Sequence, residues 1–185
     1  MISEPCMREF ICRVDAVDRI TFVDESWVPF AVENGLPSLT AGSVSGRLLW
    51  DYVSEPISQQ LYRMLAGKVR KTGRALDVPF RCDAPECRRF MKMIIQPLAG
   101  GGLEFRSVLL REEARPRMEL FNVNFPRNND YLTVCAWCKK VRASRWLEVE
   151  EAVRELRLFD QPRLPRITHG VCPDCEQAIN AETLS

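Results

Sequence analysis

Residues 135–138 read Cys-Ala-Trp-Cys and residues 172–175 read Cys-Pro-Asp-Cys, and these two hooks constrain the C-terminal part of the chain more than any other feature. A C-x-x-C hook turns two thiolates toward one point, and two hooks supply the four sulfurs of a closed tetrahedron around a soft cation. Thiolates select zinc over magnesium or calcium, and Lys139, Lys140 and Arg142 stand directly after the first hook to offset the resulting negative charge. A dithiol redox centre, another metal, or unrelated buried cysteines are the competing readings. Structural zinc held by Cys135, Cys138, Cys172 and Cys175 is preferred. The run Cys-Ala-Trp-Cys-Lys lacks the preceding βαβ context of a dithiol oxidoreductase, which has no use for a second hook. His169 is the sole histidine and precedes Cys172 by three residues. With four sulfurs already closing the site, it is expected to steady the turn rather than to bind the cation.

The chain has eight cysteines in all, many for a protein kept in a reducing compartment. Cys82 and Cys87 in RCDAPECRR (81–89) would need two further ligands to make a second metal site, and only Cys6 and Cys12 remain, so they are read as core or turn cysteines. Asp83 and Glu86 of the same run are read as turn residues. The N-terminus MISEPCMREF lacks the basic flank and apolar run of a secretory signal, so a cytoplasmic location and free thiols are expected. Apolar stretches such as MIIQPLAG (93–100) are far short of the ~20 residues that span a bilayer, which argues against a membrane protein. Charge is balanced along the chain: residues 1–112 carry 15 Lys/Arg against 14 Asp/Glu, and residues 113–185 carry 11 of each. Nucleic acid is therefore not the expected partner, because phosphate neutralisation calls for a basic body.

Periodicity places two short strands at FICRV (10–14) and RITFVD (19–24), with Phe10, Cys12 and Val14 on one face. ESWVPFAVENG (25–35) predicts a short helix ending at Asn34-Gly35, and residues 35–46 a loop. A helical turn at 47–56 directs Trp50 inward. The strongest helix covers residues 56–73, with Ser54 as N-cap, Pro56 in the first turn, one stripe of Ile57, Leu61, Met64, Leu65 and Val69, and Gly73 as its stop. Three strands follow at 75–83, 88–98 and 102–112, the last two joined by the hairpin signal AGGG, and Pro79 marks the first as an edge or bulge. The Pro- and Asn-rich stretch 116–130 is read as a linker between a domain of residues 1–115 and a module of residues 131–185. Within that module helices are expected over about 149–158 and near the end.

Two strands, a helical segment and a three-stranded meander, together with DRITFVDESWVPFAVENG (18–35), the G-x-x-L-W-D-Y-V run at 46–53 and GGGLEFRSVLL (100–110), resemble the PAS-like sensory domains of bacterial signalling proteins over about residues 10–112. The later segment, with CAWCKKVR (135–142), a tryptophan and acidic helix at 146–155, and HGVCPDC (169–175), is similar to a cysteine-rich segment that follows PAS or receiver domains in such proteins. The resemblance implies an α+β fold: a five-stranded antiparallel sheet with helices on one face, plus a small zinc-binding module. It also implies a sensory pocket between sheet and helices, for which Trp27, Phe30, Trp50, Tyr62, Phe80, Met93 and Phe105 are candidates. The competing reading is that these side chains simply fill the core. Haem and flavin are not expected, since His169 lies outside this region and RCDAPEC sits on a strand turn rather than a central helix.

No Ser/His/Asp or Cys/His set, phosphate-cradling glycine loop or kinase motif stands in the sequence. The expectation is a non-enzymatic sensory or regulatory protein, a homodimer that responds to a small apolar ligand or a signalling partner protein and passes its signal on by association. The alternatives are a nucleic-acid-binding regulator in which KKVRASR (139–145) contacts phosphates and, more distantly, a thiol redox sensor.

Overall fold

The computed structural model describes residues 8–33, 39–53, 55–122 and 124–184, and its mixed α and β elements form two compact units. The first unit takes in residues up to Pro79 and Met91–Arg111; the second is Phe80–Phe90 with the chain from Glu112 onward. The expected division at 115 and 131 thus differs from this partition: the second unit begins at Glu112, takes in residues 116–130, and includes the turn at 80–90. The N-cap expected at Ser54 and the helix stop at Asn34-Gly35 lie outside the described residues.

A five-stranded antiparallel sheet is built from β1 (Glu9–Val14), β2 (Ile20–Val23), β3 (Leu76–Arg81), β4 (Cys87–Pro97) and β5 (Leu103–Ala114), in the order β2-β1-β5-β4-β3. Period-two alternation decides its faces. Phe10, Cys12 and Val14 are buried and lie opposite Ser107, Phe105 and Leu103 of β5. Pro79 sits on β3, an edge of the sheet, where a proline is best tolerated. The turn from β4 to β5 uses left-handed Gly100 and Gly101, at φ 70° and 81°. Gly102 follows so close to β1 that a Cβ there would stand 2.7 Å from the Val14 carbonyl oxygen.

The helices enter between β2 and β3: α1 (Trp27–Glu33), α2 (Ala41–Val44), a 3-10 turn at Leu49–Tyr52, and α3 (Pro56–Thr72). Helix α2 occupies part of the expected loop, because Thr40 and Ser43 form a reciprocal capping box that closes one turn. In α3 the cap is Glu55, whose carboxylate accepts from the Ile57 and Ser58 amides at 3.0 and 2.5 Å. Gly73 ends that helix at φ 67°, donating to the Val69 carbonyl, and Leu65, Ala66 and Val69 are its buried stripe. On the opposite sheet face the Glu104 side chain is buried. Burial alone would raise its pKa, but hydrogen bonds from Arg13 and Arg106 outweigh that and hold the carboxyl below its ordinary value. Stability from this group is thus present above the unfolded carboxylate pKa and is lost as pH falls through the lower folded value. In acid titrations Glu104→Gln is expected to remove part of the steepness below about pH 4; an unchanged acid profile would contradict this.

In the second unit β6 (Arg127–Cys135), β7 (Val141–Arg142), β8 (Trp146–Leu147) and β9 (Leu164–Gly170) form a four-stranded sheet in the order β8-β7-β6-β9, followed by α5 (Pro173–Leu184). Strands β6 and β9 run parallel, so residues 136–163, with α4 (Val149–Glu155), form the crossover that such a pair requires. Leu132 and Val134 of β6, Val141 of β7 and Leu147 of β8 pack with Val149, Ala152 and Val153 of α4 and with Leu158 and Leu164 in one core. Met118 and Leu120 are buried in that core as well, which corrects the reading of residues 116–130 as a linker. Burying two large apolar side chains is worth roughly 3–6 kcal/mol, enough to hold the segment against its proline and asparagine content.

Candidate metal centre

Cys135 closes β6, Cys138 follows in a tight turn, and β7 begins at Val141, so the first hook is the bend between two paired strands. The Cys135 amide donates to the Lys140 carbonyl at 2.7 Å and the Lys139 amide to the Cys135 carbonyl at 3.1 Å. Lys139 adopts φ 65°, the left-handed residue that lets the bend close. The second hook sits where β9 gives way to α5. Cys172 begins the turn, with its carbonyl accepting from the Glu176 amide at 2.9 Å, and Cys175 lies in the first turn of α5. The parallel pairing of β6 with β9 sets Cys135 opposite Gly170 and so brings the hooks together.

The four sulfurs all lie within 4.8 Å of one another. Cys138 Sγ and Cys172 Sγ are 3.6 Å apart, too far for a disulfide and close to the ~3.8 Å edge of a tetrahedron with 2.3 Å metal–sulfur bonds. Three of the four cysteines are buried. The Cys172 amide donates to Cys135 Sγ at 3.4 Å, and hydrogen bonds from the Cys138 and Cys175 thiols hold the Cys135 thiol far below its usual pKa. Cys138, which donates to it, is pushed up to about 12, and Cys175 is raised as well. Four sulfurs this close cannot all ionise by themselves; a cation held among them would supply the missing charge. The residues fit a soft metal ion such as zinc.

The surroundings suit such a centre. Lys140 Nζ pairs with Asp174 Oδ2 at 3.0 Å, joining one hook to the other, and Lys139 Nζ donates to the Ala136 carbonyl at 2.7 Å. Trp137 is buried, its carbonyl accepts from the Arg81 amide at 2.9 Å, and its ring lies 6.1 Å from that of Phe80. The turn at 80–90 is therefore fastened to the first hook. His169 lies opposite Val134 in the β6–β9 ladder. Cys82 and Cys87, both half-buried, stand outside the sulfur cluster, and burial raises both thiols. Cys87 lines a surface cleft of about 580 Å³ with Pro85, Arg89, Glu112, Ala114 and Arg117, a feature without a periodic or motif signal in the sequence.

Six of the seven pocket candidates stand in the first unit. Trp50, Met93 and Phe105 are buried, and the rings of Trp50 and Phe105 meet edge-on at 6.4 Å. Trp50 is further fixed by its indole N–H, which donates to Asp18 Oδ2 at 2.7 Å, and by Arg63 over its ring at 4.6 Å. Phe30 stacks on Phe10 at 4.0 Å, Trp27 meets Tyr52 edge-on, and Tyr62 is half-buried on α3. Phe80 is the exception. It stands in the second unit, against Trp137.

No family model matches the chain, and no curated protein matches it. Among solved structures it is similar to a domain of HTR-like protein from Haloarcula marismortui ATCC 43049, at 10% identity and a TM-score of 0.39, over 57% of this chain and 96% of that one. No helix among the described residues is long and apolar enough to cross a membrane.

Proposed function

We propose that this chain is a sensory or regulatory signalling protein that works without catalysis, joining a PAS-like sheet domain to a module closed by structural zinc. The observation that carries the reading is the convergence of four sulfurs from two hooks, within 4.8 Å, in a largely buried site. Four protein ligands leave no coordination position for a substrate or an activated water, so such a metal organises the fold rather than reacting. The five-stranded sheet, with its helices inserted between β2 and β3 and aromatic rings within, supports the PAS-like part of the reading. A protein of this kind transmits a signal only through a difference in affinity between two conformations or two partners. The expected signals are a small apolar ligand in the first unit or a protein partner, and the acting form is a homodimer in the cytoplasm.

Purified from zinc-supplemented cells, the protein is expected to carry about one zinc per chain by plasma mass spectrometry, falling to background when Cys135 and Cys172 are both serine. A thermal-shift screen of small apolar molecules addresses the ligand. Trp50→Ala should abolish any shift if the indole lines the ligand site. If it only fills the core, the variant should lose about 3–5 kcal/mol with ligand preference unchanged. Turnover of any substrate that depends on Cys135 or Cys172 would overturn the reading.

A further inference from the structure

The small sheet of the second unit has one face packed on α4 and one that faces outward. Ladder partners share a face, so Leu132, Val134, Ile167, Val141 and Leu147, which all belong to the core, fix which residues point the other way. These are Tyr131, Thr133 and, at the end bearing the first hook, Cys135 on β6, Arg166, Thr168 and Gly170 on β9, Arg142 on β7 and Trp146 on β8. Tyr131 is 68% exposed, Arg142 and Arg166 are exposed, and Trp146 is half-buried. The Trp146 ring lies along the face: its Cη2 stands 3.8 Å from where a Gly170 Cβ would be, and Thr133 Cγ2 stands 3.1 Å from the same point. Glycine at 170 and threonine at 133 thus give the Trp146 ring a low surface to lie against, with Tyr131 exposed further along β6.

The charge of this face is one-sided. None of its outward strand positions is acidic. Arg166 donates to the Asn129 side-chain carbonyl at 3.3 Å. The run 139–145 divides its cations: Lys140 is paired with Asp174, Lys139 donates to the Ala136 carbonyl and Arg145 lies near the Glu155 carboxylate, while Arg142 points onto the open sheet. Aromatic rings on a sheet, small residues between them and arginines alongside are what single-stranded nucleic acid requires: π faces for the bases, which stack irrespective of sequence, and guanidiniums for the phosphates. An acidic protein segment would use the arginines but would find no aliphatic groove for its side chains.

We propose that the outward face of the β8-β7-β6-β9 sheet binds single-stranded nucleic acid, with Tyr131 and Trp146 stacking on bases and Arg142 and Arg166 holding phosphates. This goes beyond the sensory reading and does not depend on it, since it rests on strand side chains other than the four sulfurs, on a face that ends at the Cys135–Gly170 pair.

The test uses the full-length, zinc-loaded protein and fluorescein-labelled 15-nucleotide oligo(dT) and oligo(U), followed by anisotropy from 25 to 200 mM salt. Binding should weaken with salt at a logarithmic slope of about −1.4, the value for two phosphate contacts on a single strand. Combined replacement Arg142→Gln and Arg166→Gln should flatten that slope and weaken binding at 25 mM salt at least tenfold. Tyr131→Ala should weaken it by roughly fivefold to 100-fold with the slope unchanged, and Tyr131→Phe should restore it. Because Tyr131 is exposed, its variants report on binding without loss of folding, and circular dichroism checks the arginine pair. Tryptophan fluorescence should be quenched on binding. Absence of binding at 25 mM salt overturns the proposal. So does tighter binding to a labelled polyglutamate peptide, which would make the face a dock for acidic proteins, and so does binding that ignores both Tyr131→Ala and the arginine pair.

Discussion

Removing the metal from the zinc-loaded protein with a strong chelator is expected to unfold the second unit and to release the turn at 80–90 with it. Four-cysteine zinc sites contribute on the order of 10 kcal/mol to folding, more than a unit of this size stores in its apolar core alone. That core is real but small: Leu132, Val134, Val141, Leu147 and the α4 side chains cover one side of a sheet whose β6 and β9 strands end at the two hooks. Sequence alone suggests that loss would begin near residue 131. The geometry extends it, because the Arg81 amide donates to the Trp137 carbonyl and Phe80 packs on the Trp137 ring. Hydrogen exchange with mass spectrometry, with and without chelator, should therefore show residues 80–90 gaining exchange together with 131–175, while α3 and β1 stay protected. Protection in 80–90 that survives chelation would separate the turn from the hooks. A tail that stays protected when shown to be metal-free would remove the metal from the account of stability altogether.

Legibility followed the range of the interaction. The hooks, the first two strands, the helix at 56–72 and the β4–β5 hairpin were readable because spacing, alternation and glycine placement are local signals. Helix α2 was hidden, since a single capped turn leaves no apolar stripe and its evidence is one reciprocal pair, Thr40 and Ser43. The parallel β6–β9 ladder was hidden too: parallel strands are joined across many residues, and β9 reads LPRITHG, whose proline and charge mask a strand. Residues 116–130 carry the composition of a linker, and only the core they enter reveals Met118 and Leu120 as part of it. Phe80 alternates with Val78 as a single strand demands, but alternation says nothing about which core each residue joins. The outward arginine and aromatic face was the least readable part, because it draws residues from four strands spread between 131 and 170.

Asp83, which reads from sequence as an ordinary turn residue, is expected to be among the most costly side chains to remove. Its carboxylate is fully buried and takes both Arg81 and Arg115, the first by a two-pronged contact and the second at 3.1 Å. Arg81 reaches on to Glu148 at 2.6 Å, and Arg115 donates to the Ala84 carbonyl at 2.8 Å and approaches Glu150 at 3.5 Å. Arg88 completes the set on Glu150 at 2.6 Å, so the turn at 81–88, residue 115 and the start of α4 are held by one continuous system of charges. Replacing such a system wholesale by apolar residues can be neutral, but deleting one partner leaves its neighbours charged and dry. Asp83→Ala sets two guanidiniums side by side with their shared anion gone, which should cost about 3–5 kcal/mol. For a protein of this length that is a fall on the order of 10 °C in the thermal transition of the second unit. Asp77→Ala is the control, since Asp77 meets Lys92 at 3.3 Å with more than half of its side chain exposed; that pair is worth at most about 1 kcal/mol. Urea melts of both variants, followed by Trp fluorescence, give the comparison. Equal and small losses would show that the Asp83 cluster is wetter than its burial indicates. A large loss confined to Asp83, with the first unit's transition unmoved, would show that buried charge, alongside the four sulfurs, holds the second unit together.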